Sequence, residues 1–149
     1  MRKWLLRTVL AVVALFLLAQ AVPYGRDHTN PPTLAEPKWD SARTRELAKD
    51  ACFDCHSNLT IWPWYSNIAP ISWLTYRDVH DGRAALDFSE WTKPQDDAGD
   101  AVEAVADGSM PPWFYKPQHP KSRLSSAEKE ELMRGLAATF RRSPPMGGG

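Results

Sequence analysis

The chain has 149 residues, with 18 basic and 18 acidic side chains, 13 prolines, 7 tryptophans and 2 cysteines. This length corresponds to one domain. The balanced charge argues against nucleic-acid binding, which concentrates lysine and arginine on one face, and two cysteines exclude a disulfide-dense scaffold. A chain of this size buries about two thirds of its unfolded surface, so a bound cofactor would add to a modest core.

The N-terminal residues have the pattern of an export signal. Met1–Arg7 holds three basic residues and no acid, and the apolar run Thr8–Ala19 follows it. Two outcomes stay open, because Ala19-Gln20-Ala21 fits a cleavage site whereas Trp4–Val22 approaches the ~20 residues that span a bilayer. We expect a signal peptide or a membrane anchor, with the rest of the chain exported to the periplasmic side of the cytoplasmic membrane.

Prolines at positions 31, 32 and 37 predict an extended linker after the export signal. The linker leads into a segment with helical patterns and no convincing strand of period two, so we predict a mainly α domain. The predicted divisions are residues 1–22 (signal peptide or anchor), 23–38 (Pro-rich linker), 39–142 (folded domain) and 143–149 (disordered tail).

Four segments of the folded domain carry helix signals. Ser125 and Glu128 form a capping box at the start of the last one. Gly82 and Gly108 are predicted to end the two in the middle. The predicted helices cover residues 41–50, 73–81, 95–107 and 125–141.

Both cysteines lie in the pentapeptide Cys52-Phe53-Asp54-Cys55-His56. Two thiols at this spacing can each add to a vinyl group on one porphyrin, and the histidine beside them then ligates the iron. We therefore predict one covalently attached haem c, with Cys52 and Cys55 as the attachment residues and His56 as the proximal iron ligand. The predicted export agrees, because attachment occurs outside the cytoplasm.

Two other functions could use a pentapeptide of this kind. A redox disulfide of the thioredoxin type is typical of a βαβ context, and no strand pattern flanks these cysteines. A zinc site needs four ligands, and the remaining histidines His28, His80 and His119 are scattered along the chain. Haem attachment is therefore the favoured interpretation.

The ligand on the opposite face of the haem is predicted to be Met110. It follows a helix stop and precedes Pro111-Pro112, which holds its backbone extended; its alternative role is a flexible core filler. His80 is the alternative distal ligand, with a surface histidine as its other interpretation. His119 either binds the iron or caps a turn.

Together these segments resemble a known family. The chain is similar to the bacterial haem-binding-domain family of exported CxxCH proteins, and more distantly to single-haem class I cytochromes c, over nearly all of residues 24–136. The segments that carry the resemblance are Tyr24–Pro32, Cys52–Asn58, Pro63–Pro70, Ser72-Trp73, Gly82-Arg83, Phe88–Trp91, Met110-Pro111, His119-Pro120 and Leu124-Ser125.

The resemblance implies a small cytochrome c-like helical domain wrapped around one covalent haem, in which a C-terminal helix crosses the helix that leads into CxxCH. It also implies that the carbonyl of Pro70 accepts a hydrogen bond from the ring N–H of His56. Tyr65, Trp73 and Tyr76 either line the haem pocket or bond to propionates, or they are ordinary core aromatics.

Three functions are consistent with these features. We predict one-electron transfer to a redox partner protein, for which ligation by His56 and Met110 suffices and no enzymatic activity is needed. A haem-based ligand sensor or peroxidase-like enzyme would need an open distal position, and an accessory haem module would dock on a larger membrane oxidoreductase. The sequence assigns no small-molecule substrate and no nucleic-acid partner.

Charge is distributed unevenly along the chain. The export signal holds three basic residues, so the remainder has 15 basic and 18 acidic residues, a net charge of −3. Residues 78–107 contain nine acidic residues against two basic ones. This acidic run is either a solvated face or a surface that steers a basic redox partner.

Overall fold

The computed structural model describes residues 1–95 and 97–146, and over these residues the chain is mainly helical, as predicted. The described part contains no strand; isolated bridges pair Ala35 with Glu90 and Pro94 with Met146. The helices are α1 (Arg2–Gln20), α2 (Ala42–Ala51), α3 (Phe53–His56), α4 (Ile71–Ala85), α5 (Ala101–Ala106) and α6 (Ser126–Arg142), with 3-10 turns at Trp64–Asn67, Ala98–Asp100 and Pro120–Ser122.

The chain divides into two compact units. The first consists of Met1–Thr29 and Trp62–Asp78, and the second of Asn30–Ile61 and Val79–Gly149. Helix α4 supplies its first residues to one unit and its last residues to the other. The boundaries after residues 22, 38 and 142 stay predictions.

In the first unit, the end of α1 bonds to the residues before α4. The side chain of Gln20 donates to the carbonyl of Ala69 over 2.8 Å and accepts from its N–H over 3.1 Å. Gly25 follows with φ +75°, and a methyl group there would lie 2.3 Å from the carbonyl oxygen of Ser72. Only glycine tolerates both the conformation and this approach.

Helix α4 is longer than predicted, and its predicted end at Gly82 is wrong. The helix continues to Ala85. A methyl group on Gly82 would lie 2.6 Å from the carbonyl oxygen of Cys55. This glycine therefore serves the close approach of α4 to the CxxCH segment and does not end the helix.

In the second unit, α2 and α6 pack against each other, the contact that the resemblance implied. The side chains of Leu47 and Leu132 are fully buried, and a methyl group on Gly135 would lie 2.1 Å from Oγ1 of Thr44. The predicted capping box is confirmed, since Ser125 and Glu128 bond to each other reciprocally.

A chain of aromatic rings connects the core of the second unit to α3. Phe53 stacks on Phe88 with 5.6 Å between ring centroids, Phe88 on Trp91 at 6.0 Å, and Trp91 on Phe140 at 5.4 Å. Phe53 and Phe88 are 1% exposed. Burial of Phe53, which lies between the two cysteines, fixes α3 on this core.

The predicted helix over residues 95–107 is wrong in its first half. Regular α-helix covers only Ala101–Ala106, after a 3-10 turn. The buried side chain of Gln95 accepts from the N–H of Asp87 over 2.7 Å and donates to the carbonyl of Glu90 over 3.0 Å. These bonds hold residue 95 in a loop; Asp96 lies outside the described residues.

The C-terminal segment that was predicted to be disordered makes contacts in its described part. The carbonyl of Ser143 accepts from Nε1 of Trp91 over 3.0 Å, and that of Met146 accepts from the N–H of Gln95 over 2.6 Å. Residues 147–149 of the predicted tail lie outside the described residues.

Candidate functional site

The CxxCH segment is a single turn at the end of α2. The N–H of Cys52 donates to the carbonyl of Ala48 over 2.7 Å, and the carbonyl of Cys52 accepts from the N–H groups of Cys55 and His56 over 3.1 and 2.9 Å. Both cysteines are half-buried, and neither forms a disulfide. Two thiols and one imidazole are therefore presented from five consecutive residues on a fixed backbone.

The thiol of Cys52 lies in surroundings that disfavour its thiolate form. Burial raises the pKa of the Cys52 thiol to about 12, and the nearby Cys55 adds to the rise. Reactive cysteines of redox centres have lowered pKa values instead. Over residues 1–95 and 97–146, no group of three or more potential metal-ligating side chains comes together.

The ring of His56 is held in one tautomer. Its Nδ1 lies 3.0 Å from the carbonyl oxygen of Leu86. Because a carbonyl only accepts, Nδ1 carries the proton and Nε2 of the neutral ring carries the lone pair. Burial lowers the pKa of His56, against the opposing effect of the carbonyls of Leu86 and Gly82. A neutral ring with a free lone pair on Nε2 is the donor that a haem iron takes, so the residues fit this cofactor.

The resemblance assigned the wrong carbonyl to this ring. Leu86, and not Pro70, accepts from Nδ1 of His56. The carbonyl of Pro70 instead accepts from the N–H of Trp73 over 3.1 Å at the start of α4. Leu86 follows the last residue of α4, where carbonyls lack partners within the helix. The N–H of Phe88 donates in turn to the carbonyl of His56 over 2.9 Å.

Arg83, on the last turn of α4, holds the residues that follow CxxCH. Its Nε donates to the carbonyl of Ser57 over 2.8 Å, and its guanidinium also bonds to Asn30 and Thr60 over 2.9 Å each. Burial lowers the pKa of Arg83, while Asp87 and other acidic neighbours raise it. Sequence analysis found Arg83 only as part of the resemblance.

Asp54 connects CxxCH to the loop that carries Met110, and sequence analysis missed it. Its Oδ2 accepts from the hydroxyl of Tyr115 over 2.6 Å and lies 3.5 Å from Nδ1 of His119. The rings of Tyr115 and His119 stack with centroids 3.8 Å apart. Asp54 occupies one of the two unspecified positions of CxxCH, so a single sequence does not indicate that it has a structural role. His119 also caps a turn through its carbonyl, which accepts from Ser122.

The predicted distal ligand lies on this same loop. Met110 follows α5, its N–H donates to the carbonyl of Ala104 over 2.9 Å, and it is 37% exposed. Gly108, with φ +81°, forms the turn after α5. His80, the alternative ligand, has a side chain 67% exposed with Nδ1 3.3 Å from a carboxylate oxygen of Asp81. Both assignments stay predictions.

One helix of the described residues is long and apolar enough to cross a membrane. This is α1, with mean hydropathy 1.7 and no part of it buried. Length and composition alone support the span, and an N-terminal signal sequence meets the same criteria.

The helical fold and the CxxCH turn agree with a haem-binding protein. The family model of the haem-binding domain matches residues 14–138, so the chain belongs to the haem-binding domain family, as the resemblance predicted. No curated protein and no solved structure matches the chain significantly.

Proposed function

We propose that this protein holds one covalent haem c and transfers single electrons outside the cytoplasmic membrane. Cys52 and Cys55 are the attachment residues, His56 is the proximal iron ligand and Met110 the distal one. The observation that carries the proposal is the CxxCH turn, with two cysteines that form no disulfide and an imidazole whose Nδ1 donates to the Leu86 carbonyl.

The thiols of Cys52 and Cys55 carry out the attachment. Each adds across one vinyl group: its S–H bond breaks, a carbon–sulfur bond forms, and the hydrogen goes to the other vinyl carbon, with no net oxidation. This addition needs reduced thiols, and neither cysteine forms a disulfide. The aromatic packing of Phe53 fixes the turn between them.

The axial ligands decide between electron transfer and catalysis. When bound, the haem supplies an iron that gains or loses one electron. His56 offers Nε2 from a ring oriented by Leu86, and Met110 offers a thioether, which favours ferrous iron relative to a second imidazole. With both positions filled, no coordination site remains for a substrate, so we propose a carrier and not an enzyme.

Helix α1 supports the proposed location. Its basic N-terminal residues stay in the cytoplasm and the following chain is exported. The helix then either remains as an anchor or is removed as a signal peptide. A retained anchor also favours a second candidate, an accessory haem module that docks on a larger membrane oxidoreductase.

The partner surface we propose lies on the segment around α5. Asp97, Asp100, Glu103 and Asp107 are all exposed there. A cluster of negative charges attracts a positively charged partner at low ionic strength. We therefore propose a basic redox protein as the partner.

Absorption spectra of the full-length protein test the ligation. We expect low-spin ferric and ferrous spectra in the wild type, and Met110→Ala should give a high-spin form that binds carbon monoxide. Met133→Ala and His80→Ala serve as controls that stay low-spin, and His119→Ala is measured beside them. A high-spin wild type that binds carbon monoxide readily would contradict electron transfer and favour the sensor or enzyme.

Acid–acetone extraction tests the attachment separately. Haem should stay with the wild-type chain and be extracted from the Cys52→Ala/Cys55→Ala variant. Haem that remained bound to this double variant through extraction would refute the thioether bonds.

A further inference from the structure

The end of α1 is held beside the start of α4, within the first unit. The side chain of Gln20, the last residue of α1, bonds to both backbone groups of Ala69 over 2.8 and 3.1 Å. The hydroxyl of Ser72 donates to the carbonyl of Tyr24 over 3.5 Å, and the ring of Tyr24 meets that of Tyr76 edge-on, with 5.3 Å between centroids. The start of α4 is therefore fixed to the end of α1 at several points.

The bonds of Gln20 require that the end of α1 stays in the protein. Ala69 is fully buried, and buried backbone groups are almost always paired. Cleavage after Ala21 would remove Gln20 and take this partner from both the N–H and the carbonyl of Ala69. Arg26 would lose the same side chain as an acceptor, at 3.1 Å. These contacts favour a retained α1, which is the anchor form of the proposed location.

The length of α1 sets the level at which this junction lies. Its 19 residues rise about 28 Å, and the hydrocarbon core of a bilayer is about 30 Å thick. In a membrane-spanning α1, Gln20 and the bonded Ala69 thus lie where the core ends. Cα of Ile71 lies within about 7 Å of Cα of Ala69, and the headgroup region adds about 5–7 Å on each side of the core. Helix α4 therefore begins at the level of the headgroups.

The side chains exposed at this level are apolar. Val22, in the turn after α1, is 44% exposed, and Ile71 and Leu74 are 44% and 61% exposed. Ile71 and Leu74 are three residues apart and share one face of α4. Further along α4, the exposed residues Arg77 and Asp78 are charged. The exposed side of α4 thus changes from apolar to charged away from α1, as in a helix that begins at a membrane surface and leaves it.

We propose that Val22, Ile71 and Leu74 form a surface that rests on the lipid of the membrane crossed by α1, held there by the bonds between Gln20 and Ala69. The partner is the lipid surface on the side to which the chain is exported. Apolar side chains buried at the boundary of headgroups and acyl chains stabilise such a contact. The proposal rests on the proposed location, and it requires neither the haem nor electron transfer.

Photocrosslinking to lipid tests this surface in the full-length, haem-bearing protein. The protein is placed in vesicles of phosphatidylethanolamine and phosphatidylglycerol, with benzoylphenylalanine in place of Ile71, Leu74 or Asp78, one at a time. Mass spectrometry measures the lipid adducts, and circular dichroism checks each fold. We expect adducts at positions 71 and 74 and none at position 78. Asp78 is the matched control because it is also exposed on α4, one turn after Leu74.

Gln20→Leu tests whether the bonds to Ala69 hold the surface in place. This substitution leaves α1 apolar but removes both bonds, so the yield of lipid adducts at position 71 should fall while the protein stays in the membrane. Thr8→Leu is the matched control, since the hydroxyl of Thr8 bonds within α1 to the carbonyl of Trp4. Its adduct yield should equal that of the wild type. Equal yields in both variants would overturn the proposal.

Two further results would overturn it. One is a set of adduct yields that does not differ between positions 71, 74 and 78. The other is a loss of bound haem in Ile71→Ser/Leu74→Ser, which would assign these side chains to the cofactor.

Failure of the proposed function gives different results. A mature chain that begins after Ala21, found by mass spectrometry, would overturn the lipid surface and leave the haem ligation and electron transfer as proposed. Lipid adducts at positions 71 and 74 in a chain that loses its haem on acid–acetone extraction would support the lipid surface and refute covalent attachment.

Discussion

The hydroxyl of Tyr115 donates a hydrogen bond of 2.6 Å to Oδ2 of Asp54. The two residues are 61 positions apart in the chain, and Asp54 lies between the two cysteines. This bond connects the CxxCH turn to the loop that carries Met110. The Met110 loop is thus held by a side chain of the CxxCH motif itself.

Removal of this hydroxyl in Tyr115→Phe should lower the free energy of unfolding by about 1–3 kcal/mol, because a hydrogen bond to a charged acceptor is lost. The same variant should bind carbon monoxide more readily, since the Met110 loop is less well held. Chemical denaturation and ferrous spectra measure the two effects. Tyr24→Phe is the control. Equal changes in both variants would show that the bond to Asp54 has no specific role.

Gly82 gives a second prediction, because its Cα lies against the CxxCH backbone. In Gly82→Ala the new methyl group would lie 2.6 Å from the carbonyl oxygen of Cys55, which forces α4 and the CxxCH turn apart. We expect a loss of about 1–3 kcal/mol in the free energy of unfolding, as for other overpacked sites, and less haem bound per chain.

Gly99→Ala is the matched control for this substitution. A methyl group on Gly99 would meet nothing within 4 Å, so stability and haem content should stay at wild-type values. Denaturation curves and the ratio of haem to protein absorbance give both results. A Gly82→Ala protein with wild-type haem content and stability would contradict the close contact.

Local features of this fold could be predicted from a single sequence, whereas features that depend on distant segments could not. The capping box at Ser125 and Glu128 was predictable because its bonds lie within four residues, and CxxCH was predictable for the same local reason. Gly82 was wrongly predicted to end the helix. A glycine is needed there because the backbone approaches Cys55, which lies on another segment. The hydrogen-bond acceptor for His56 was wrongly predicted. Tertiary packing decides which carbonyl lies next to the ring, and a local sequence pattern carries no information on that packing.

The bidentate pair of Glu36 and Arg45 predicts a pH dependence of stability. Two nitrogens of Arg45 lie 2.6 Å from the two carboxylate oxygens of Glu36. The hydrogen bond from Arg45 holds the pKa of Glu36 below its ordinary value of 4.5, against the opposing effect of burial. A lowered carboxyl pKa stabilises the fold above pH 4.5, and this contribution is lost as pH falls through the lowered value.

We expect Glu36→Gln to lower the free energy of unfolding by about 1 kcal/mol at pH 7, since the pair is partly exposed. The difference from wild type should shrink as pH falls below 4.5. Urea denaturation at a series of pH values measures it. Glu130→Gln, which removes an exposed pair with Arg134, is the control, and a difference for Glu36→Gln that grew at low pH would contradict the assignment.

Arg83 gives the last prediction, because hydrogen bonds from its guanidinium fix the segment after His56 and join it to Asn30. They reach Ser57, Asn30 and Thr60 over 2.8 to 2.9 Å. Arg83→Gln leaves the buried carbonyl of Ser57 without this donor, so we expect a loss of about 1–3 kcal/mol in the free energy of unfolding.

Lysine at this position should not restore stability, because an ammonium group lacks the planar fork that reaches several acceptors at once. Arg134→Gln, at an exposed position, should change the free energy of unfolding by less than about 0.5 kcal/mol. Denaturation of the haem-bearing proteins compares all three variants. If Arg83→Lys were as stable as the wild type, charge alone would explain the role of Arg83, and the fork geometry would not be needed to hold the residues that follow CxxCH.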